Sequence, residues 1–284
     1  MKPIIYWVRR DLRLADNPAL TAAIDSGQPV IPVFVLDEVV ETHGACPKWR
    51  LGLGVEAFDA ALSERGSRLI LRRGPALVVL TGLARQTGAT GVIWSRAYDP
   101  DGIARDTAVK AGLKAAGLQA ESIPGHLLFE PWTASTKTGG FFKVYTPFWK
   151  SVRDRAVAAP LAAPAAIPAP EAWPESDRIA DWNFAGPMRR GADIVRPHLR
   201  VGEAAAQDRL ERFIDSAIAG YADRRNLPAE PGTARLSENL ACGEISVRTC
   251  WHAGMRARAD GAAGAETFLK ELVWREFAYH LAYH

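Results

Sequence analysis

The chain has 284 residues, room for two domains of ordinary size, and its 48% hydrophobic and 24% charged residues exclude a disordered or fibrous polypeptide. Net charge is only +3 and is evenly spread, with 14 Lys and Arg against 13 Asp and Glu from Pro187 onward, so any contact with nucleic acid has to come from a local patch. Cys46, Cys242 and Cys250 are too widely spaced for a disulfide framework or a C-x-x-C zinc site, no apolar stretch reaches membrane-spanning length and no signal peptide is visible, so a cytoplasmic protein is expected.

From the start to about Pro131, short apolar runs alternate with amphipathic stretches. The runs are Ile4–Val8, Val30–Leu36, 68–71 and 92–95, with a weaker one near Gln119–Ile123; the helical stretches lie near Pro18–Asp25, 49–64, 75–86 and 103–116. Strands apolar on both faces, alternating with helices, predict a doubly wound α/β domain around a parallel sheet. Such sheets bind ligands at the carboxyl ends of the strands, where strand order reverses. The first such turn is Arg9-Arg-Asp-Leu-Arg-Leu-Ala-Asp-Asn-Pro18, in which Asn17 caps a helix opening at Pro18. It has no glycine, and Gly52-Leu-Gly54 falls inside a helical stretch, which argues against an NAD-type dinucleotide site.

Phe141-Phe-Lys-Val-Tyr-Thr-Pro-Phe-Trp149 is too aromatic for a free linker and reads as irregular chain packed between two domains. Residues 156–174 follow, with prolines at 160, 164, 168, 170 and 174 and one charge, Glu171; this density holds a connector extended over a surface. Past Val201 the period changes. Leu210, Phe213, Ile214, Ala217, Ile218 and Tyr221 fall on one helical stripe, and Ser246 is placed to cap a further helix to about Arg258. The expected division is an α/β domain over 1–131, a connector over 132–200 and an all-α domain from 201 to 284.

The last helix runs from Phe268 to the end. Leu269, Val273, Phe277 and Leu281 form its apolar face, with a second stripe of Glu271, Trp274, Arg275 and Ala278 at the border, where Glu271 and Arg275 have the spacing of a surface ion pair. No stop signal closes it, so aromatic surface and the last carbonyls are expected to lie uncovered. Gly232-Thr-Ala-Arg-Leu-Ser237 offers a flexible backbone, two hydroxyls and a guanidinium before a helix start, the donors that a phosphate needs; the same residues also read as a turn in which Ser237 caps the next helix. Arg224 and Arg225 close a helix, where capping and a phosphate contact are both open. His280 and His284 share a face without the carboxylate of a metal motif, and no metal site is expected.

Taken together, Arg9-Arg-Asp-Leu-Arg-Leu-x-Asp-Asn-Pro18, Tyr145-Thr-Pro-Phe-Trp149, Tyr221-x-x-x-Arg-Asn226, Gly232-Thr-x-Arg-Leu-Ser237 and Glu271-x-x-Trp-Arg-Glu-Phe277 resemble the photolyase/cryptochrome family of blue-light flavoproteins, in particular its class I-like cyclobutane-dimer photolyases. The resemblance implies an α/β domain able to hold a light-harvesting pigment, folate or deazaflavin, and a helical domain that binds FAD. It implies that Tyr221, Thr233, Ala234, Arg235, Leu236 and Ser237 hold FAD, mainly at its phosphates, with Phe268 and Arg275 beside the cofactor. It further implies that Arg225 touches UV-damaged DNA, that Glu271 and Trp274 act on the flipped dimer, and that Arg275 lines the same cavity. His43 and Asp101 lie near folate contacts of the family, although Gly102 lacks the expected carboxylate. Ala234 stands where a serine is frequent, and Ala278 where an aromatic is common. The family's helical domain continues past this last motif, so only its first part is expected here, in a protein that is monomeric at full length and that associates through the exposed last helix in this form. Two other readings follow from the same residues, a cryptochrome-like light sensor and a catalytically inactive binding module.

Overall fold

Five strands form one parallel sheet in the order β3-β2-β1-β4-β5: β1 (Ile4–Val8), β2 (Val30–Leu36), β3 (Ile70–Arg73), β4 (Gly91–Ser95) and β5 (Gln119–Ile123). They are seen in a computed structural model that describes residues 1–284. β1 and β2 are buried along their whole length, as apolar runs in a sheet covered on both faces must be. Strand order reverses between β1 and β4, which pair through Ile5 and Val92.

Helices α1 (Pro18–Asp25), α2 (Glu38–Glu41), α3 (Ala45–Ser63), α4 (Ala76–Thr87) and α5 (Pro100–Ala115) surround this sheet. On one face Tyr6, Val8 and Phe34 meet Leu20, Phe58 and Leu62; on the other Ile5, Trp7 and Trp94 meet Leu80, Leu83 and Leu113. α5 starts earlier than its apolar spacing suggests because Asp99 accepts from the Gly102 amide at 2.8 Å and Pro100 fits the first turn.

Residues 156–174 form no helix or strand and run along the α/β layer, bonded at Val30 N to Pro168 O (2.7 Å) and at Ile167 N to Arg65 O (3.1 Å). The preceding aromatic segment departs from expectation. It contains a helix, α6 (Tyr145–Val152), that buries Phe148, Trp149 and Val152. Pro147 sits in its first turn, where the missing N–H has no helical partner to lose.

The helical layer consists of α7 (Gly191–Val195), α8 (Glu203–Ser216), α9 (Tyr221–Arg224), α10 (Ser237–Cys242), α11 (Val247–Ala259) and α12 (Ala265–Tyr283). Ser246 caps α11 through the Thr249 amide at 2.9 Å. The stripe from Leu210 to Tyr221 is not one helix. α8 ends at Ser216 and the chain passes through a 3-10 turn at Ile218–Gly220 before α9. The start of α12 presses on that break: a Cβ on Gly264 would lie 2.0 Å from Ile218 O.

α12 also differs from its spacing. Leu281, expected on the buried face, is 43% exposed, whereas Glu276 and His280 are 2% and 1% exposed. Both polar groups meet backbone from the segment after β5. Glu276 accepts from the Leu128 and Phe129 amides at 2.6 and 3.2 Å. His280 accepts at Nε2 from the Phe142 amide (3.0 Å) and lies 3.1 Å from Pro131 O through Nδ1, which sets the Nδ1–H tautomer. The end of α12 is partly covered as well, with Trp132 against Tyr283 and Phe141 stacked on His284.

The two layers are locked through the turn after β1. Arg13, 3% exposed, donates to the carbonyls of Asp16, Gly125 and Gly243. Leu12 N bonds Cys242 O, and Glu203 of α8 accepts from the Leu14 and Ala15 amides. Arg50 of α3 bridges to Glu238 and Glu244. Gly243 has φ +71° and no room for a side chain, since its Cβ would meet Arg10 O at 1.9 Å.

Candidate functional sites at the sheet crevice and on the last helix

The crevice at the β1/β4 switch point holds a cavity of about 270 Å³, at the small end for ligand sites. Asp11 organises its floor by accepting from Tyr6 Oη (2.6 Å), the Arg9 amide (2.9 Å) and Ser95 Oγ (2.5 Å). Arg9 pairs with Asp106 at 2.6 Å and Arg105 with Asp37 at 2.9 Å, and the two guanidiniums flank the Trp7 ring at 4.7 and 4.9 Å. Arg96 is tied to Glu130. Arg10 is the lining guanidinium left most free, with only a 3.9 Å approach to Asp99, and it is half-exposed. His43 lines the same cavity, its pKa lowered by burial and by the Arg10 charge. Asp101 is exposed on the first turn of α5 and does not line the cavity. At Gly102 a Cβ would meet Ala97 and Asp99 at 2.8 Å, so the position that lacks the expected carboxylate has no space for one.

From this cavity a polar chain leads to α12. Tyr98 and His126 line the cavity; Tyr98 donates to Glu130 at 2.7 Å, and His126 Nε2 lies 2.8 Å from both Tyr279 Oη and Arg275 Nη2. Arg275 further donates to His126 O and to Glu276 Oε1, each at 3.0 Å. Burial and the Arg275 charge lower the His126 pKa well below its ordinary value, so the ring is neutral and can accept. Burial pushes the Glu276 carboxyl up to about 7 against the pull of Arg275 and the two amides. The spacing of Glu271 and Arg275 had suggested a pair along the helix surface. Instead Arg275 turns inward to these groups, and Glu271 pairs with Arg225 across from α9.

Glu271, Trp274, Ala278 and Leu281 make up the outward stripe of α12, with Trp274 45% exposed. The 232–237 turn lies at the edge of the same layer. Gly232 is packed so closely that a Cβ would be 2.8 Å from Arg224 O, and Arg235 takes a left-handed backbone with φ 50°. Thr233, Arg235 and Ser237 are exposed and Ala234 is half-buried. Ser237 does not cap α10, as the local reading allowed. Leu236 occupies the cap position without a side-chain bond, which leaves the first-turn amides without a side-chain acceptor. Tyr221, Leu236 and Phe268 are buried in the helical core, where Phe268 packs on Phe213 and Tyr221 at 4.9 and 6.0 Å. Free hydroxyls, a left-handed turn and unclaimed amides suit the phosphates of a dinucleotide. Asp11 belongs to the turn after β1 that the sequence singled out, whereas Tyr98, Arg105 and His126, which also line the cavity, carry no local motif; only the general rule that switch-point turns hold ligands points toward them.

Residues 4–171 match the DNA photolyase family, and the chain belongs to it. It is 41% identical over 285 residues to a deoxyribodipyrimidine photo-lyase of Agrobacterium fabrum, a match that takes in 99% of this chain and 59% of that protein. The crystal structure of a bacterial class III photolyase from Agrobacterium tumefaciens superposes with a TM-score of 0.94 at 40% identity, covering 100% of this chain and 59% of that one. An uncharacterised 31.6 kDa protein of Synechococcus is 34% identical over 96% of this chain and 98% of its own length. The chain thus spans about 59% of the Agrobacterium photolyases that it matches.

Proposed function

We propose that this chain serves the blue-light-dependent splitting of cyclobutane pyrimidine dimers in UV-damaged DNA. The observation that carries the reading is the outward stripe of α12, where Glu271 is held by Arg225 and the Trp274 indole stands exposed one turn away. An exposed indole stacks an unpaired base, and a dimer, already distorted, leaves the duplex at less cost than an intact pair. The Glu271 carboxylate would accept from a base N–H, and Arg225 would turn part of its fork to a phosphate. Arg275 braces α12 from behind through His126.

FAD, when bound and reduced, would on excitation by blue light supply the electron that opens the dimer and would take it back once the dimer has split. Thr233, Arg235, Ser237 and the first-turn amides of α10 would hold its phosphates, with Ala234 contributing backbone. Tyr221, Leu236 and Phe268 would keep that turn rigid from the core. The crevice would take the antenna pigment, folate or deazaflavin, by its heteroaromatic ring system. Three free thiols fit a reducing cytoplasm as the location. The test is dimer loss from an irradiated oligonucleotide with FAD and a reductant present. Loss under blue light and none in darkness supports the reading, and equal loss in both overturns it.

A further inference from the structure

Trp274 has a partner that the stripe itself does not supply. Tyr145, the first residue of α6, lies flat on the indole, with ring centroids 3.7 Å apart and planes 7° from parallel. Aromatic pairs in proteins more often sit offset or edge-on with centroids at roughly 4.5–7 Å, so this is close face-to-face coverage. The far end of the ring is tethered, because Tyr145 Oη donates to Lys270 O on α12 at 2.8 Å. Burial and the neighbouring Glu271 charge raise the phenol's pKa, which keeps that donor protonated. Phe277 meets both rings edge-on at 5.9 and 5.8 Å and is itself backed by Phe148. One face of the indole is therefore taken and one edge is fixed, while the residue stays 45% exposed.

We infer that Tyr145 is a positioning residue for lesion recognition: it fixes the Trp274 indole as a platform with one face open to a pyrimidine of the damaged strand. This rests on the reading of Trp274 as the lesion contact. A lone exposed tryptophan has to be ordered when a base arrives, and that cost is taken from affinity; an indole already stacked and wedged has been ordered in advance. The motif from Tyr145 to Trp149 then has two jobs. Phe148 and Trp149 fill the core, and Tyr145 reaches from the same turn of helix to the outside of α12.

The experiment measures, in darkness and on the whole 284-residue chain, the ratio of Kd for undamaged DNA to Kd for the same oligonucleotide carrying one thymine dimer. Tyr145→Leu is expected to lower the ratio about 5-fold with little change on undamaged DNA, and Tyr145→Phe, which keeps the ring, to stay within about 2-fold of wild type. A fold-stabilising residue alone would lower both affinities together and leave the ratio intact. Trp274→Ala separates the two levels of the argument. If it lowers the ratio and Tyr145→Leu does not, the inference is wrong and the lesion reading stands; if it leaves the ratio unchanged, both fall. Should Tyr145→Leu not fold, Tyr145→His replaces it, with a drop of about 2- to 3-fold expected from the smaller ring and no drop overturning the inference.

Discussion

Replacing Arg50 by methionine isolates the buried ion pair among the bonds between the two layers. The Arg50 side chain is 8% exposed, and its Nη1 and Nη2 reach Glu244 at 2.8 and 2.7 Å while Nε reaches Glu238 at 2.8 Å. Glu244 is 0% exposed and has one other side-chain donor, Asn239 Nδ2 at 2.6 Å. Methionine preserves much of the stem and removes the charge with its donors, so a fully buried carboxylate keeps a single amide. Taking one partner from a buried ion pair costs about 3–5 kcal/mol, out of a total stability of roughly 5–15 kcal/mol for a folded domain. Urea unfolding should show a loss of about 3 kcal/mol or more for Arg50→Met. The double variant Arg50→Met/Glu244→Leu, which removes both charges, should recover most of it. A single-variant loss under about 1 kcal/mol, or a double variant less stable than the single, would refute the reasoning that buried charge locks α3 to the helical layer.

Other perturbations read different parts of the structure. Gly243→Ala forces a left-handed alanine and drives its Cβ onto Arg10 O, 1.9 Å away; a loss of about 2 kcal/mol or more in thermal unfolding is expected. For Glu276, pushed up to about 7 from an ordinary 4.5, the stabilising contribution is complete below the unfolded value and is lost as pH rises through the folded one. Relative to Glu276→Gln, wild type should therefore lose about 3 kcal/mol between pH 4.5 and pH 7.5 in urea titrations, and parallel pH curves would contradict the burial argument. Thr233→Ala and Ser237→Ala should each weaken FAD binding by about 10-fold, followed by quenching of flavin fluorescence, if their hydroxyls meet phosphate oxygens.

β1, β2 and α1 were legible because a buried parallel sheet leaves long apolar runs and because Asn17-Pro18 is a strong helix start, whereas β3 lies two residues later than its apolar run and β5 is a half-exposed edge strand. α6 was not, since aromatic residues and Pro147 obscure a short helix whose stability comes from Phe148 and Trp149 entering the core. Helical spacing put Glu271, Trp274 and Ala278 on one stripe of α12, yet it put Arg275 there too and Leu281 on the apolar face, because spacing places residues on faces and says nothing of what opposes them. Glu276 and His280 look like surface groups until the amides of Leu128, Phe129 and Phe142 arrive from far away in the chain. Arg275 likewise passes over Glu271, four residues before it, for His126 and Glu276. The turn after β1 shows the same limit. Its position marked a ligand crevice, and Asp11 and Arg9 do line one, yet Leu12, Arg13 and Leu14 bind the turn to the helical layer.

Light-driven repair is tested by counting thymine dimers in an irradiated oligonucleotide against blue-light dose, with the protein, FAD and a reductant, beside a dark sample and one without protein. Dimer loss should grow with dose, be absent in darkness and without protein, and fall in Trp274→Ala. Dimer numbers that stay constant under blue light in a sample shown to retain FAD, or that fall equally in the dark, would contradict it.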